Sequence, residues 1–175
     1  MDLKKYIRSI PDYPKKGILF RDITTLIKDK DAFKECIDQM SKILTKLNFD
    51  KIASIESRGF VFASPLCYNL SKSLILMRKK NKLPAEKYSQ EFELEYGRAT
   101  LEIHKDSIMP KEKVVIIDDL IATGGTAEAG AKLVEKSDGI VSGFLFVINL
   151  FDLGGKKLLE DKGYKSFSLI DFPGH

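Results

Sequence analysis

The stretch VVIIDDLIATGGTA, residues 114–127, constrains the fold more than any other part of the chain. Its first four residues are all β-branched and apolar, which fits a strand buried on both faces. A strand with one wet face would alternate instead. Two carboxylates, Asp118 and Asp119, follow where the apolar run ends. Then Thr123-Gly124-Gly125-Thr126 frees the backbone to turn, and Ala127, Ala131 and Val134 trace one face of a helix that begins near Thr126. In an open α/β sheet, ligands settle in the crevice beyond the carboxyl ends of the strands. Strand, acids, glycine turn and helix therefore make a unit aimed at such a crevice.

The rest of the chain supports that frame. KIASIE, LILM, GFLFVINL and SFSLI read as strands, and EFELEYGRATLEI alternates on both sides of Gly97 as a β-hairpin does. Phe33, Cys36, Ile37, Met40, Ile43, Leu44 and Leu47 form one apolar helical stripe. SRGFVFASPLCYNL reads as loop and helix, and GGKKLLEDKG as a helix. At the start, Leu3, Tyr6, Ile7 and Ile10 follow helical spacing, and Pro11 would end that helix. DYPKKGILFRDITTLIKD reads as a loop or short extended piece, and RKKNKLPAEKYS as a charged loop. Strands alternating with helices predict an α/β fold with a mostly parallel central sheet flanked by helices. The N-terminal segment and the hairpin are additions to it, and such additions shape sites.

At 175 residues, one domain is expected, spanning 1–175. The net charge of +4 is mild, and no dense basic tract points to nucleic acid. Cys36 and Cys67 stand in apolar patterns without metal-ligand spacing, so both are expected as reduced core residues. His104 and His175 have no partner at such spacing either. There is no apolar leader and no run long enough to span a membrane, so no membrane role and a cytoplasmic location are expected.

The chemistry of the 114–127 unit can be worked from its parts. A helix N-terminus behind a glycine turn offers unpaired N–H groups and a partial positive charge, which suits a phosphate. The Thr123 and Thr126 hydroxyls add donors. The acids would repel a phosphate, but they can accept hydrogen bonds from sugar hydroxyls or help hold a hydrated cation. No lysine follows the glycines as in a P-loop, and the G-x-G-x-x-G dinucleotide turn is absent. A glycosidase acid pair is disfavoured because adjacent strand residues point to opposite faces. The residues alone leave two alternatives level: a ribose-5-phosphate cradle, or an acidic turn followed by a helix cap.

Six motifs in order shift that balance. DYPKKGILFRDIT, SRGF, RKKNKLP, LEYGRATLEIHKD, DDLIATGGT and FPGH together resemble the adenine phosphoribosyltransferases in their bacterial form, a branch of the type I phosphoribosyltransferase family. The resemblance covers nearly the whole chain. It implies the type I phosphoribosyltransferase fold, with a small N-terminal hood over residues 1–30 that contributes to a base pocket and a flexible β-hairpin loop. It implies purine salvage: transfer of the phosphoribosyl group of 5-phosphoribosyl 1-pyrophosphate to adenine, giving AMP and pyrophosphate, with Mg²⁺ and as a homodimer. Mg²⁺ would be carried mainly by the pyrophosphate substrate, with no direct protein metal site.

Carried onto this sequence, the resemblance assigns the 5′-phosphate to Ala122, Thr123, Gly124, Gly125 and Thr126, and the ribose hydroxyls to Asp118 and Asp119. It assigns pyrophosphate to Ser57, Arg58, Arg78, Lys79 and Lys82, with Lys80 in the same run, and implies a cis peptide at Glu56-Ser57. Asn81 stands where the family has glycine, and Asn tolerates the left-handed backbone better than most residues. Glu95 would act as general acid/base on the purine and Tyr96 would pack over the reacting centre, so both are the expected catalytic residues. Leu19, Phe20 and Arg21 would form the adenine site, with Phe20 stacked on the ring. Two rivals share the fold: a phosphoribosyltransferase for hypoxanthine, guanine, xanthine or orotate, and a nucleotide-sensing regulator that binds nucleic acid.

Overall fold

The apolar run at 114–117 becomes the centre of a sheet. The computed structural model describes residues 1–94 and 97–175. In it β7 (Lys113–Ile121) is flanked in parallel by β3 (Lys51–Ile55) and β8 (Ile140–Leu150). The seven-stranded sheet has the order β5-β6-β4-β3-β7-β8-β9, with β4 Ser73–Lys79, β5 Lys87–Glu93, β6 Arg98–His104 and β9 Ser166–Phe172. The β3–β4, β3–β7, β7–β8 and β8–β9 pairs are parallel, while β4–β6 and β5–β6 are antiparallel. The expected mostly parallel sheet is thus present, with the antiparallel hairpin at one edge.

Helices cover both faces, which is why β7 needs apolar side chains on both. Val115 and Ile117 pack with Cys36, Met40, Phe62 and Leu66 of α2 (Lys30–Leu44) and α3 (Gly59–Leu70). Val114 and Ile116 pack on the opposite face with Ala127, Ala131 and Leu133 of α4 (Gly125–Lys136). All four β7 residues are fully buried, and the strand's period of two divides them between the two layers. The start of α2 is fixed by Asp29, whose carboxylate accepts from the N–H groups of Asp31 and Ala32. Cys36 and Cys67 are buried and free, and burial pushes both thiols up, to about 12 and about 11.

The N-terminal reading needs correction. Residues 3–10 do not form an α-helix: a 3₁₀ turn, Leu3–Tyr6, leads into β1 (Arg8–Pro11), which pairs antiparallel with β2 (Leu19–Asp22). So short a helix gains too few hydrogen bonds to offset its nucleation, whereas ILFRD offers a partner strand. Leu3 and Ile7 are buried either way, so the spacing could not separate the two outcomes. The segment expected as a loop or short extended piece contains the short strand β2 and also a one-turn helix, α1 (Thr24–Ile27). The charged loop after LILM is shorter than expected, because Arg78 and Lys79 finish β4 and Lys87 opens β5. Among the described residues no helix is long and apolar enough to cross a membrane.

Candidate active site

Beyond the carboxyl ends of β3 and β7 lies a cleft of about 490 Å³. The glycine turn forms its floor. Gly124 adopts φ 92° and caps α4, a conformation that a side chain would strain. The first helical bond is made by Glu128 N–H to the Gly124 carbonyl, 2.9 Å. The preceding N–H groups are therefore left without intrahelical partners, at the end of the helix that carries its partial positive charge. Ala122, Thr123, Gly124, Gly125 and Thr126 all line the cleft.

The turn is supported from behind by a residue with no sequence signal beyond the glycine pair at 154–155. The Gly155 N–H donates to the Ala122 carbonyl at 3.0 Å. A Cβ on Gly155 would lie 2.4 Å from that oxygen and 2.8 Å from Gly124 N, so only glycine lets α5 (Gly155–Asp161) approach so closely.

Asp118 and Asp119 both line the cleft. Arg58 Nε stands 2.9 Å from Asp119 Oδ2 as an ion pair, yet that buried oxygen accepts no aligned hydrogen bond among the described residues. A buried carboxylate oxygen with lone-pair capacity to spare is what a sugar hydroxyl would use. Asp118 Oδ1 accepts the Asp119 N–H at 2.8 Å. Burial, with the Asp119 carboxylate beside it, raises the Asp118 acid well above its ordinary value, against the opposing pull of Arg58.

Arg58 also ties the cleft to the β1–β2 hairpin. Its guanidinium lies 5.5 Å from the centre of the Phe20 ring, and Tyr13 meets the same ring edge-on at 5.2 Å. Leu19, Phe20 and Arg21 do not line the main cleft; they sit on β2 beside it. The Arg21 side chain is buried, donating to Ser9 and to the Pro173 carbonyl. The Glu56-Ser57 peptide is cis, as the resemblance implies, and Ser57 lines the cleft with Arg58.

The basic run is organised by Glu56. Its carboxylate accepts the Lys79 N–H at 2.9 Å and Arg78 Nε at 3.3 Å, and lies 3.5 Å from Lys82 Nζ. Burial opposes its ionisation, but the Lys79 N–H and the two cations outweigh that and hold it below its ordinary value. Of the run, Lys79 lines the cleft, while Arg78 and Lys82 are engaged with Glu56 beside it. Glu102, also buried, accepts the Asn81 N–H at 3.1 Å and so holds Asn81 at φ 66°. Neither acid was visible as a site residue in the sequence, because each meets its partners through the sheet rather than by spacing along the chain.

Phe92 and Leu94 of the β5–β6 hairpin line the cleft. Glu95 and Tyr96, the expected catalytic pair, lie outside the described residues. Among the described residues no group of three or more His, Cys, Asp or Glu is placed to hold a metal. His104 serves locally, its Nε2 accepting the Ala85 N–H at 3.3 Å.

Comparison with known proteins agrees with this geometry. Residues 23–172 match the phosphoribosyl transferase domain family. An adenine phosphoribosyltransferase of Pelagibacter ubique is 67% identical over 175 residues, covering 100% of both chains. The crystal structure of adenine phosphoribosyltransferase from Thermoanaerobacter pseudethanolicus superposes with a TM-score of 0.93 at 50% identity, covering 98% of each chain. The Saccharomyces cerevisiae enzyme, solved with D-2,5-dideoxy-2,5-imino-altritol 1,6-bisphosphate and adenine, superposes with a TM-score of 0.89 at 34% identity, covering 97% of each chain.

Proposed function

The chain belongs to the phosphoribosyl transferase domain family and, within it, to the adenine phosphoribosyltransferases, and from that premise we propose how its cleft carries out the reaction. The enzyme serves purine salvage, transferring the 5-phosphoribosyl group of 5-phosphoribosyl 1-pyrophosphate to adenine to give AMP and pyrophosphate. The relatives do not favour another base or a nucleic-acid-binding regulator. The carrying observation is the convergence of three parts in one cleft: the glycine turn at the α4 N-terminus, the two acids, and Arg58 paired to Asp119.

In this reading the 5′-phosphate sits on Ala122, Thr123, Gly124, Gly125 and Thr126, held by N–H groups and the helix dipole. Asp118 and Asp119 accept from the ribose hydroxyls, which sets C1′ above the sheet edge. Ser57, Arg58 and Lys79 face the pyrophosphate. Arg78 and Lys82, restrained by Glu56, contribute positive potential beside it. Adenine lies against Phe20 with its polar edge on the β2 backbone. As the N9–C1′ bond forms, the bond from C1′ to the pyrophosphate oxygen breaks, with positive charge developing on the sugar. Glu95 takes the imidazole proton and Tyr96 packs over the centre. Mg²⁺ bound with the pyrophosphate supplies charge neutralisation of the leaving group. No carboxylate is assigned to the ion directly, since Asp118 and Asp119 are used by the ribose hydroxyls; an ion that keeps its waters and binds through phosphate oxygens would need no dedicated protein cage. Most of the acceleration in this scheme is positioning and charge stabilisation.

The reading extends to the molecule as a whole. Residues 1–175 act as one domain, with residues 1–30 as a hood over the base. The protein works in the cytoplasm as a homodimer, and Val61 and Tyr68 of α3 with Leu76 of β4 leave apolar side chains exposed on one side of the sheet for a second copy. Purified protein with adenine, 5-phosphoribosyl 1-pyrophosphate and Mg²⁺ should release AMP and pyrophosphate in equal amounts. Pyrophosphate release without AMP would mean hydrolysis of the activated sugar and would overturn the assignment.

A further inference from the structure

The motif FPGH, residues 172–175, takes no part in the reaction above, yet it is anchored on two sides. On one side, the Pro173 carbonyl accepts from Arg21 Nη2 at 2.9 Å, and the Arg21 guanidinium lies 4.4 Å from the centre of the Phe172 ring. On the other, the Gly174 N–H donates to Asp152 Oδ1 at 2.6 Å. The packing there is tight enough that a Cβ on Gly174 would meet Leu153 Cγ at 2.6 Å. Arg21 is only 6% exposed, and its other hydrogen bond goes to Ser9, so both terminal nitrogens are engaged inside the hood while its buried Nε has no partner among the described residues.

These anchors join two parts of the molecule that the main sheet leaves separate. β2, which carries Leu19 and Phe20, pairs with β1 in a sheet of its own and has no ladder to the seven strands. The 3₁₀ turn Phe151–Leu153 follows β8 directly and leads through Gly154 to Gly155, the residue behind the phosphate turn. The strap at residues 173–174 therefore spans from the hood to the scaffold of the phosphate site. A stacked base whose edge is read by backbone groups needs those groups held to within about 0.5 Å, and a two-stranded hairpin with no ladder to the main sheet has no strand bonds to that sheet with which to do so.

We propose that Pro173 and Gly174 form a strap that sets the position of the hood over the base subsite, with Arg21 and Asp152 as its positioning residues. The inference rests on the reading of β2 as the adenine site. It separates base binding from phosphoribosyl binding: the strap touches the hood, while the glycine turn and acids are held by β7, α4 and Gly155.

The test uses the full-length protein with Asp152→Ala, Asp152→Asn and a chain ended after Phe172, each assayed with Mg²⁺ and with either substrate varied. Asp152→Ala should raise the KM for adenine by about tenfold, as expected when positioning is lost at one subsite. The KM for 5-phosphoribosyl 1-pyrophosphate should stay within about twofold, because its contacts are elsewhere. Asp152→Asn keeps an oxygen acceptor for Gly174 and should restore the adenine KM, while the shortened chain should exceed the alanine variant in the same direction. An unchanged adenine KM in both Asp152→Ala and the shortened chain overturns the strap, and so does a parallel rise of both KM values, which would mark a general structural contact. Wild-type protein that makes no AMP overturns the reading of the base site, and this inference with it. Active wild type with indifferent variants overturns the strap alone.

Discussion

Replacing Gly155 by alanine tests whether the glycine turn at 122–126 is braced from behind. Two opposing effects decide the sign. Gly155 opens α5 at an ordinary φ, so alanine should stabilise the chain by about 0.4–1 kcal/mol if nothing stood in the way. But the new methyl would lie 2.4 Å from the Ala122 carbonyl oxygen, 2.8 Å from Gly124 N and 2.8 Å from Ile121 Cγ1. Two of those atoms are backbone and cannot rotate aside, and the Gly155 N–H to Ala122 bond holds the pieces together. Overpacking of this kind costs about 1–3 kcal/mol, so a net loss near the middle of about 0–2.6 kcal/mol, roughly 1.3 kcal/mol, is expected once the helix preference is subtracted. For a chain of this size a loss of about 1.3 kcal/mol corresponds to a fall in Tm of about 3–5 °C. The relief must come from movement of the 122–124 backbone, which in the proposed reading is the 5′-phosphate site. The KM for 5-phosphoribosyl 1-pyrophosphate should then rise by about tenfold or more, with the adenine KM nearly unchanged. Scanning calorimetry and initial-rate kinetics check the two halves. A higher Tm with an unaltered KM would refute the bracing.

Two further outcomes follow from the same site. Glu95→Ala should lower kcat by about a hundredfold or more, the usual scale for losing a general acid/base, while equilibrium binding of 5-phosphoribosyl 1-pyrophosphate changes little; unchanged turnover would remove Glu95 from the mechanism. Burial and the neighbouring Asp119 raise the Asp118 acid, so the folded state holds that proton more tightly than the unfolded chain. Its contribution favours folding below the unfolded value of about 3.9 and is lost as pH rises through the folded one. Asp118→Asn should therefore melt higher than wild type at pH 7, with the difference shrinking toward pH 4, while 5-phosphoribosyl 1-pyrophosphate binds more weakly. Equal melting temperatures across that range would show that Asp118 is not strained by its surroundings.

The sequence carried most of the architecture because its strongest signals are local. The 114–117 run declared its double burial, and the stripe from Phe33 declared α2. The glycine turn and both acids meet in one cleft, as their order along the chain suggested, and Ser57 and Arg58, brought in only by the resemblance, line it with them. What stayed hidden depends on contacts across the fold. Leu3, Ile7 and Ile10 satisfy a helical period and a turn-plus-strand equally, and only the pairing partner at Leu19–Asp22 decides between them. Glu56 precedes Arg78 by 22 residues, and Gly155 meets Ala122 across the crossover through β8. No spacing rule links such pairs. The basic run by itself looked like a charged loop, and the resemblance assigned Arg78, Lys79 and Lys82 together to pyrophosphate; the sheet separates them, with Lys79 lining the cleft and Arg78 and Lys82 paired to Glu56.

The most direct measurement is the rate of nucleotide formation from 5-phosphoribosyl 1-pyrophosphate and Mg²⁺ with adenine and hypoxanthine compared side by side. The two bases reverse a donor and an acceptor on the edge that the β2 backbone would read. A site built to pair with one leaves buried groups unpaired with the other, a penalty worth about 10⁴-fold in kcat/KM. The account predicts AMP from adenine with hypoxanthine disfavoured on that scale; comparable rates with the two bases, or a preference for hypoxanthine, would contradict it.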